Sequence, residues 1–338
     1  VDEYEELGPV VAQSRFSDRL TDSKTLYLLG DHTRASLLLY DLVGDSTNES
    51  DPLYPKAVYY LAESQFQIGN NLAARNFFQQ LITSGNREHL TAAIGRLIQI
   101  GDRLQRWEGL AEFVSLLRAK GRLPSEISYL HGKSLMHRER YQDAITELEA
   151  IEKTSSLFSK SRYLLAVAYL QLGKYKKAEK YFRDLVDNES YYEDSEQVRE
   201  LSAMNRARIL LELGDFSAST DAYQFIKRTS PLFEEALYEI TWTYIRSAAA
   251  LDEDEARNKE YQKARRSLEI LLFSESETKV TPQARLLLGN ILLKLKRFDE
   301  ANQIFVGVVE KYGSIRGQLH QLAKEAAHPR EYYERVVE

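Results

Sequence analysis

The chain has 338 residues, a formal net charge of −6 and no cysteine. The acidic balance gives no general attraction for nucleic acid, and the lack of cysteine excludes disulfides, thiolate metal sites and cysteine nucleophiles. The sequence contains no run of about 18 or more apolar residues, so we expect no membrane span.

The N-terminal part divides near residue 20. Residues 1–20 contain Pro9 and several acidic residues, and we treat them as an N-terminal extension whose structure the pattern does not define. Residues 21–313 form about eight similar units. The first of these units is visible in residues 26–43, where Gly30, Ala35 and Leu39 occupy its characteristic positions.

A small residue returns about every 34 residues, and a period of this kind indicates a stack of like units rather than one closed core. Twelve residues later comes a second small residue, and four residues further comes a large apolar one. The first small residues are Ala62, Gly132, Ala166, Ala207 and Gly289. The second small residues are Ala74, Ala144, Ala178, Ser219 and Ala301, and the large apolar residues are Phe78, Leu148, Phe182, Tyr223 and Phe305.

The spacing inside each unit predicts two helices and a turn. Residues 163–170 are apolar almost all round, which suits a helix enclosed by neighbours. Gly173 follows, where a glycine in the left-handed conformation ends a helix. A second helix is predicted from Tyr175 onward, because Ala178 and Phe182 continue an apolar stripe. We therefore expect the two small residues to lie where the helices of one hairpin cross closely.

This pattern resembles the tetratricopeptide repeat, in which each of two helices pairs a small residue with an aromatic one. Ala166 with Tyr169 and Ala178 with Phe182 match that pattern, and Pro231 stands at the closing proline. The early tryptophan of the family is replaced by Val58, Ser128, Arg162, Ala203, Leu237 and Arg285. The resemblance implies an all-α fold, an α-solenoid in which helix–turn–helix hairpins form a right-handed superhelix.

Regularity fails at several places. Residues 88–118 read as a degenerate unit, with two helices whose register the sequence does not fix. Insertions are expected near residues 187–197 and 249–259, the second as a loop with acidic residues at 252–255 that we interpret as solvated. Residues 314–338 are expected to form a C-terminal capping helix.

Motifs of catalysis are missing from the sequence. His131–Ser134 contains the Gly-Lys-Ser of a phosphate loop, but Ile127 stands where the first glycine is needed, and the tripeptide lies inside a predicted helix. No two histidines have the spacing of a helical metal site, and no Gly-x-Ser-x-Gly is present. We therefore expect no enzymatic activity, no cofactor and no metal site.

The resemblance also implies where a partner binds. In the family, residues three before, one after and four after the first small residue line the concave groove, and these offsets share one helix face. In this sequence they give the candidate residues Tyr59, Glu63, Phe66, Tyr129, Lys133, Met136, Tyr163, Val167, Leu170, Met204, Arg208, Tyr238, Trp242 and Ile245. The four tyrosines at one position have two interpretations that both stay open: packing between neighbouring first helices, or an aromatic groove for a partner.

These observations favour a non-enzymatic scaffold that binds a protein partner, as a peptide or amphipathic helix, in an aromatic groove. We expect it in a bacterial envelope, motility or polarity complex, and in the periplasm or at the outer membrane rather than in the cytoplasm. The start at Val1 is compatible with removal of a signal peptide. One alternative is a regulatory or substrate-recruiting domain of a larger enzyme or signalling protein. Another is a peptidoglycan or nucleic-acid site at the basic residues 174–183, for which a solvated helix face is the simpler interpretation.

Overall fold

The structure is a computed structural model that describes residues 9–85, 87–188, 195–273 and 278–326. In these ranges it contains sixteen α-helices, one short 3₁₀-helix and no strand, which confirms the all-α prediction. None of the helices in the described ranges combines the length and the apolar character that a bilayer crossing requires. The chain divides into two compact units, residues 1–174 and 175–338, called the first and the second unit below.

The first unit contains nine of these helices. They are α1 (Pro9–Leu28), α2 (His32–Gly44), α3 (Tyr54–Gln67), α4 (Asn71–Thr83), α5 (Leu90–Leu104), α6 (Leu110–Arg118), α7 (Ser125–His137), α8 (Tyr141–Glu149) and α9 (Phe158–Gln171), with the 3₁₀-helix Ser46–Ser50 between α2 and α3. The second unit contains the other seven. They are α10 (Tyr175–Asp187), α11 (Ser195–Glu212), α12 (Phe216–Gln224), α13 (Phe233–Ala249), α14 (Asp254–Phe273), α15 (Thr281–Lys294) and α16 (Phe298–Ala326).

Helices pack mainly against their neighbours in sequence. In the first unit α2 lies between α1 and α3, and α8 lies between α7 and α9. In the second unit every helix from α10 to α16 packs against the next one along the chain. Contact limited to near neighbours is the packing of a solenoid, so the α-solenoid prediction is confirmed within each unit.

Glycine stands in the turn of several hairpins, whereas Glu139 and Lys296 take the corresponding position in two others with φ angles of +58° and +61°. Gly69, Gly173 and Gly214 follow the ends of α3, α9 and α11, and their φ angles are +88°, +69° and +79°. A side chain in this left-handed conformation is strained, whereas glycine adopts it freely. The N-terminus of α12, which follows the turn at Gly214, is also capped, because the Asp215 carboxylate accepts a hydrogen bond from the backbone N–H of Ala218.

The recurring small residues lie at the helix crossings, as the sequence predicts. A methyl group added to Gly132 would lie 2.8 Å from Cγ of Leu148, and one added to Gly289 would lie 2.5 Å from the Phe305 ring. In the α11–α12 hairpin the Ser219 hydroxyl donates a hydrogen bond of 2.9 Å to the carbonyl of Ala207. The small residues thus let the two helix backbones of a hairpin approach each other.

Two terminal expectations need correction. Helix α1 begins at Pro9, so most of the presumed extension 1–20 is helical, and residues 1–8 lie outside the described part. Pro9 is compatible with this start because the first turn of a helix needs no N–H donor there. Helix α16 runs without a break through Ser314 to Ala326, so no separate capping helix begins at residue 314, and residues 327–338 lie outside the described part.

The acidic insertion at 249–259 is mostly helical rather than a loop. Only residues 250–253 connect α13 to α14, and Asp254 and Glu255 form the first turn of α14. Acidic side chains stabilise a helix N-terminus through the helix dipole, which explains why the acidic run starts a helix. Of the other insertion, residues 189–194 lie outside the described part, while Ser195 already begins α11.

The degenerate repeat at 88–118 forms α5 and the short helix α6. Helix α5 packs against α4, α6 and also directly against α7. A methyl group added to Gly95 would contact Ile127 and Leu130 of α7, and one added to Gly101 would lie 3.0 Å from Leu110 of α6. Two glycines therefore serve two different neighbours, which explains why the usual spacing of small residues is lost here.

Candidate functional site

The tyrosine column of the sequence is half buried throughout. Tyr59, Tyr129 and Tyr163 lie on α3, α7 and α9 of the first unit, and Tyr238 lies on α13 of the second. Each of these residues keeps part of its surface accessible. The two interpretations of the column, packing and partner contact, are therefore compatible in one side chain.

Tyr59 shows how such a ring is held. It stacks on His89 with ring centroids 4.0 Å apart and meets Tyr60 and Phe78 edge-on at 5.4 and 6.4 Å. Burial, with the nearby Glu63 carboxylate, raises the pKa of Tyr59 to about 12. The phenol therefore stays neutral, as an aromatic surface and hydrogen-bonding group, over the whole physiological pH range.

The aromatic surface extends to α1 through two tyrosines that the sequence reasoning missed. Tyr27 meets Tyr60 with ring centroids 5.4 Å apart, and its hydroxyl lies 3.2 Å from Oε2 of Glu63. The signal was present: Ser23, which is fully buried in α1, takes the place of the small residue, and Tyr27 follows it by four. That register was hidden because serine replaces alanine or glycine.

Glu63 is a correction to the predicted groove. Its side chain is 2% exposed, and Arg96 of α5 binds both carboxylate oxygens at 2.8 and 2.9 Å. A buried carboxylate of this kind needs its charged partner. Glu63 therefore joins neighbouring first helices and is not accessible to another protein.

Two further predicted groove residues are covered. Phe66 is buried, and the guanidinium groups of Arg96 and Arg103 stack over its ring at 4.5 and 4.1 Å. Met204 is 1% exposed and belongs to the core of the second unit. Both predictions are corrected, because the register places these residues on the right helix but neighbouring side chains close over them.

The remaining candidates of the first unit lie on α7 and α9. Lys133 is exposed, and Met136, Val167 and Leu170 are half buried. Burial raises the pKa of Tyr129, one turn before Lys133. These helices therefore present apolar side chains beside a cation. The Gly-Lys-Ser tripeptide lies in the middle of α7, where the backbone N–H groups are used by the helix and do not form a phosphate loop.

In the second unit the exposed positions are apolar. Trp242 on α13 is 41% exposed, and Leu286 and Leu293 on α15 are 45% and 43% exposed. Leu286 and Leu293 occupy the same register positions around Gly289 that Tyr238 and Ile245 occupy on α13, where both are half buried. Consecutive first helices thus present tryptophan and leucine side chains to solvent.

Arg208 has a structural role in the second unit. Its guanidinium group binds the Glu239 carboxylate at 2.6 and 2.8 Å and Glu235 at 2.9 Å. Tyr223 also donates a hydrogen bond to Glu239, at 2.9 Å. Hydrogen bonds from Arg208 to Glu239 raise the pKa of Arg208 above its usual range. The arginine ties α11 to α13, as Arg96 ties α5 to α3.

Within the part of the chain that the structure describes, no group of three or more histidine, aspartate or glutamate residues is arranged to hold a metal ion. The acidic residues near 252–255 are used locally, because Arg257 binds the carboxylate of Asp254 at 2.6 Å and the carbonyls of Leu251 and Asp252.

Family models described as tetratricopeptide repeats match residues 56–84, 129–193 and 248–310. A search of curated protein sequences gives no match.

Several solved structures share the fold. The C-terminal part of a repeat-containing protein from Cytophaga hutchinsonii has a TM-score of 0.57 and 14% identity, covering 78% of this chain and 98% of that chain. A tetratricopeptide repeat protein from Parabacteroides merdae has a TM-score of 0.51 and 14% identity, covering 82% and 98%. The apo form of RapI has a TM-score of 0.50 and 11% identity, covering 94% and 95%.

Proposed function

Because this chain is built from tetratricopeptide repeats, which generally act as interaction modules without catalytic chemistry, we propose that it is a scaffold that holds a partner protein and is not an enzyme. The partner binds as a peptide or an amphipathic helix on the exposed faces of the first helices of the hairpins. Each unit offers its own face, α3, α7 and α9 in the first unit and α13 and α15 in the second.

One observation carries the proposal: large apolar side chains are exposed on the same face of the consecutive first helices α13 and α15. Trp242, Leu286 and Leu293 each have more than two fifths of their surface accessible. Aromatic residues dominate the energetics of protein interfaces, since they bury a large apolar surface at a small cost in side-chain entropy. A partner with apolar side chains at helical or extended spacing fits such a surface.

We extend the proposal to a bacterial envelope, motility or polarity complex, with the periplasm or the outer membrane as the compartment. Tyrosine-rich repeats and the lack of cysteine support this setting.

The test is selection of twelve-residue peptides from a random display library on the full chain, followed by affinity measurements on variants. We expect the Trp242→Ala variant, and the Tyr163→Ala/Tyr238→Ala double variant, to weaken the selected binders at their respective faces by about tenfold or more, as interface anchors do. Circular dichroism monitors helicity and melting of each variant.

The matched control is Tyr40→Ala, which removes an exposed tyrosine from the second helix α2. Its affinity for the selected peptides stays unchanged. Equal affinity of the wild type and of all face variants contradicts the proposal. A fall of several degrees in melting temperature without loss of affinity assigns the tyrosines to packing alone.

A further inference from the structure

The first helices of the first unit carry an excess of positive charge on one face. The face is formed by the positions six and three before, and one and four after, the small residue of each helix, taken as Ser23, Ala62, Gly95, Gly132 and Ala166. Its basic residues are Lys24, Lys56, Arg96, Lys133 and Lys160, and its acidic residues are Glu63 and Glu126. Arg96 and Glu63 neutralise each other. The face therefore has four lysines and one exposed carboxylate, that of Glu126, although the net charge of the whole chain is −6.

The lysines lie beside the tyrosine rings described above. The ammonium group of Lys24 lies 5.8 Å from the centre of the Tyr60 ring. Burial lowers the pKa of His89, the residue stacked on Tyr59; the Glu88 carboxylate opposes this effect, and the charge of Lys56 adds to it. The charge of Lys160 opposes the effect of burial on the pKa of Tyr129. Helices α1, α3, α7 and α9 each carry one lysine and one tyrosine at the positions that form this face.

Three of these lysines have no ion-pair partner among the described residues: Lys24 and Lys56, both half buried, and Lys133, which is exposed. By contrast, most arginines nearby are paired, as Arg19 is with Asp41, Arg75 with Glu108 and Arg118 with Glu147. Unpaired charges of one sign on an aromatic surface attract a ligand of the opposite sign.

We propose that the first-unit face binds an acidic segment of a partner protein, with aspartate or glutamate side chains set between apolar ones. The apolar side chains pack on Tyr59, Tyr129 and Tyr163, and the carboxylates lie against Lys24, Lys56 and Lys133. The second unit, whose corresponding positions carry Trp242, Leu286 and Leu293, takes an apolar segment instead. This inference rests on the proposed function and adds the charge of the partner.

The experiment uses the peptides selected on the full chain. Those whose binding is weakened by Tyr129→Ala are assigned to the first-unit face and sequenced. We expect them to contain more aspartate and glutamate than lysine and arginine. At about 20 mM salt, the Lys24→Glu/Lys56→Glu/Lys133→Glu variant binds them about tenfold or more weakly, and about 0.5 M salt removes most of the difference, because salt screens exposed charges.

The matched control reverses three exposed lysines elsewhere, in the variant Lys120→Glu/Lys176→Glu/Lys180→Glu, which changes the net charge of the chain equally. It is expected to keep the wild-type affinity within about twofold, since none of these lysines occupies one of the positions that form this face. Selected peptides that are neutral or basic, or equal weakening by both triple variants, overturn the inference and leave the scaffold function standing. A selection that yields no peptide sensitive to any face variant overturns both.

Discussion

Gly289 shows how one missing methyl group sets the distance between two helices. A methyl group at this position would lie 2.5 to 3.1 Å from three atoms of the Phe305 ring, closer than packed carbon atoms approach. Gly132 has the same relation to Leu148 at 2.8 and 2.9 Å. The pair of a small residue and a large one sixteen positions later is therefore one packing contact, repeated along the chain.

Gly289→Ala is expected to lower stability by about 1–3 kcal/mol, because overpacking forces the ring or a backbone to move. Chemical denaturation measures the change. Gly307 lies on α16 of the same hairpin with open space around it. Gly307→Ala is expected to raise stability by about 0.5–1 kcal/mol, since alanine is the better helix former. Similar shifts for both variants would show that the methyl group meets no obstacle at Gly289.

Glu147 makes the stability of the fold depend on pH. Burial alone would raise the pKa of this carboxyl, but the contacts of His131 at 3.3 Å and of Arg118 outweigh burial and hold the pKa below its usual range. A carboxyl whose pKa is lower in the folded state stabilises the fold above its unfolded pKa. That contribution is lost as the pH falls through the folded pKa.

The Glu147→Gln variant is therefore expected to lose less melting temperature than the wild type between about pH 6 and about pH 3. Scanning calorimetry across that range measures the difference. Glu152→Gln serves as the control, because the side chain of Glu152 is more than half exposed in its pair with Arg122 and an exposed pair contributes little. Parallel curves for Glu147→Gln and the wild type would contradict the assignment.

At the scale of helices, the sequence predicted a hairpin well where small residues stand at the helix crossing and a glycine stands at the turn. Ala166 and Ala178 are both fully buried, and Gly173 has the left-handed backbone expected at its turn. Such marks are local, since they depend on one crossing or one turn. The prediction was wrong for α14 because charge density alone suggested a loop.

The structure explains the α13–α14 error. Thr241, Ala264 and Leu268 are fully buried and stand where the other hairpins have their two small residues and their large one. The spacing from Thr241 to Ala264 is eleven residues longer than in other repeats. Those residues lengthen both helices beyond the crossing, and the Arg257 side chain binds the carbonyls of Leu251 and Asp252 in the connection. A sequence pattern cannot distinguish a longer hairpin from a longer loop when the added residues are polar.

The sequence predicted which helix positions the candidate residues occupy, but it did not predict which of their side chains are accessible. The offsets from the small residue identified the four half-buried tyrosines and Trp242. They also selected Glu63 and Phe66, which Arg96 covers from α5. Whether such a side chain is accessible depends on a residue about 33 positions away, in a repeat whose register the sequence does not fix. This is a tertiary effect, and a single repeat does not contain it.

At the scale of the whole molecule, contacts between near neighbours imply that a destabilising substitution affects mainly the helices close to it. Arg96 binds the buried Glu63 carboxylate and joins α5 to α3. Removing the arginine leaves a buried charge without its partner, which costs about 3–5 kcal/mol. In a solenoid such a cost falls on the repeats that contain the pair and on those next to them, because stability is close to a sum over units and their interfaces.

Arg96→Met is therefore expected to raise amide hydrogen exchange in α3, α5 and the helices packed on them, and to leave α15 and α16 at the wild-type rate. Hydrogen exchange read by mass spectrometry resolves these segments. The Glu63→Gln/Arg96→Met double variant regains part of the protection, since it removes the unpaired charge as well. Arg19→Met, which breaks the exposed pair with Asp41, changes exchange little. A uniform rise across all sixteen described helices would instead show that the chain unfolds as one cooperative body.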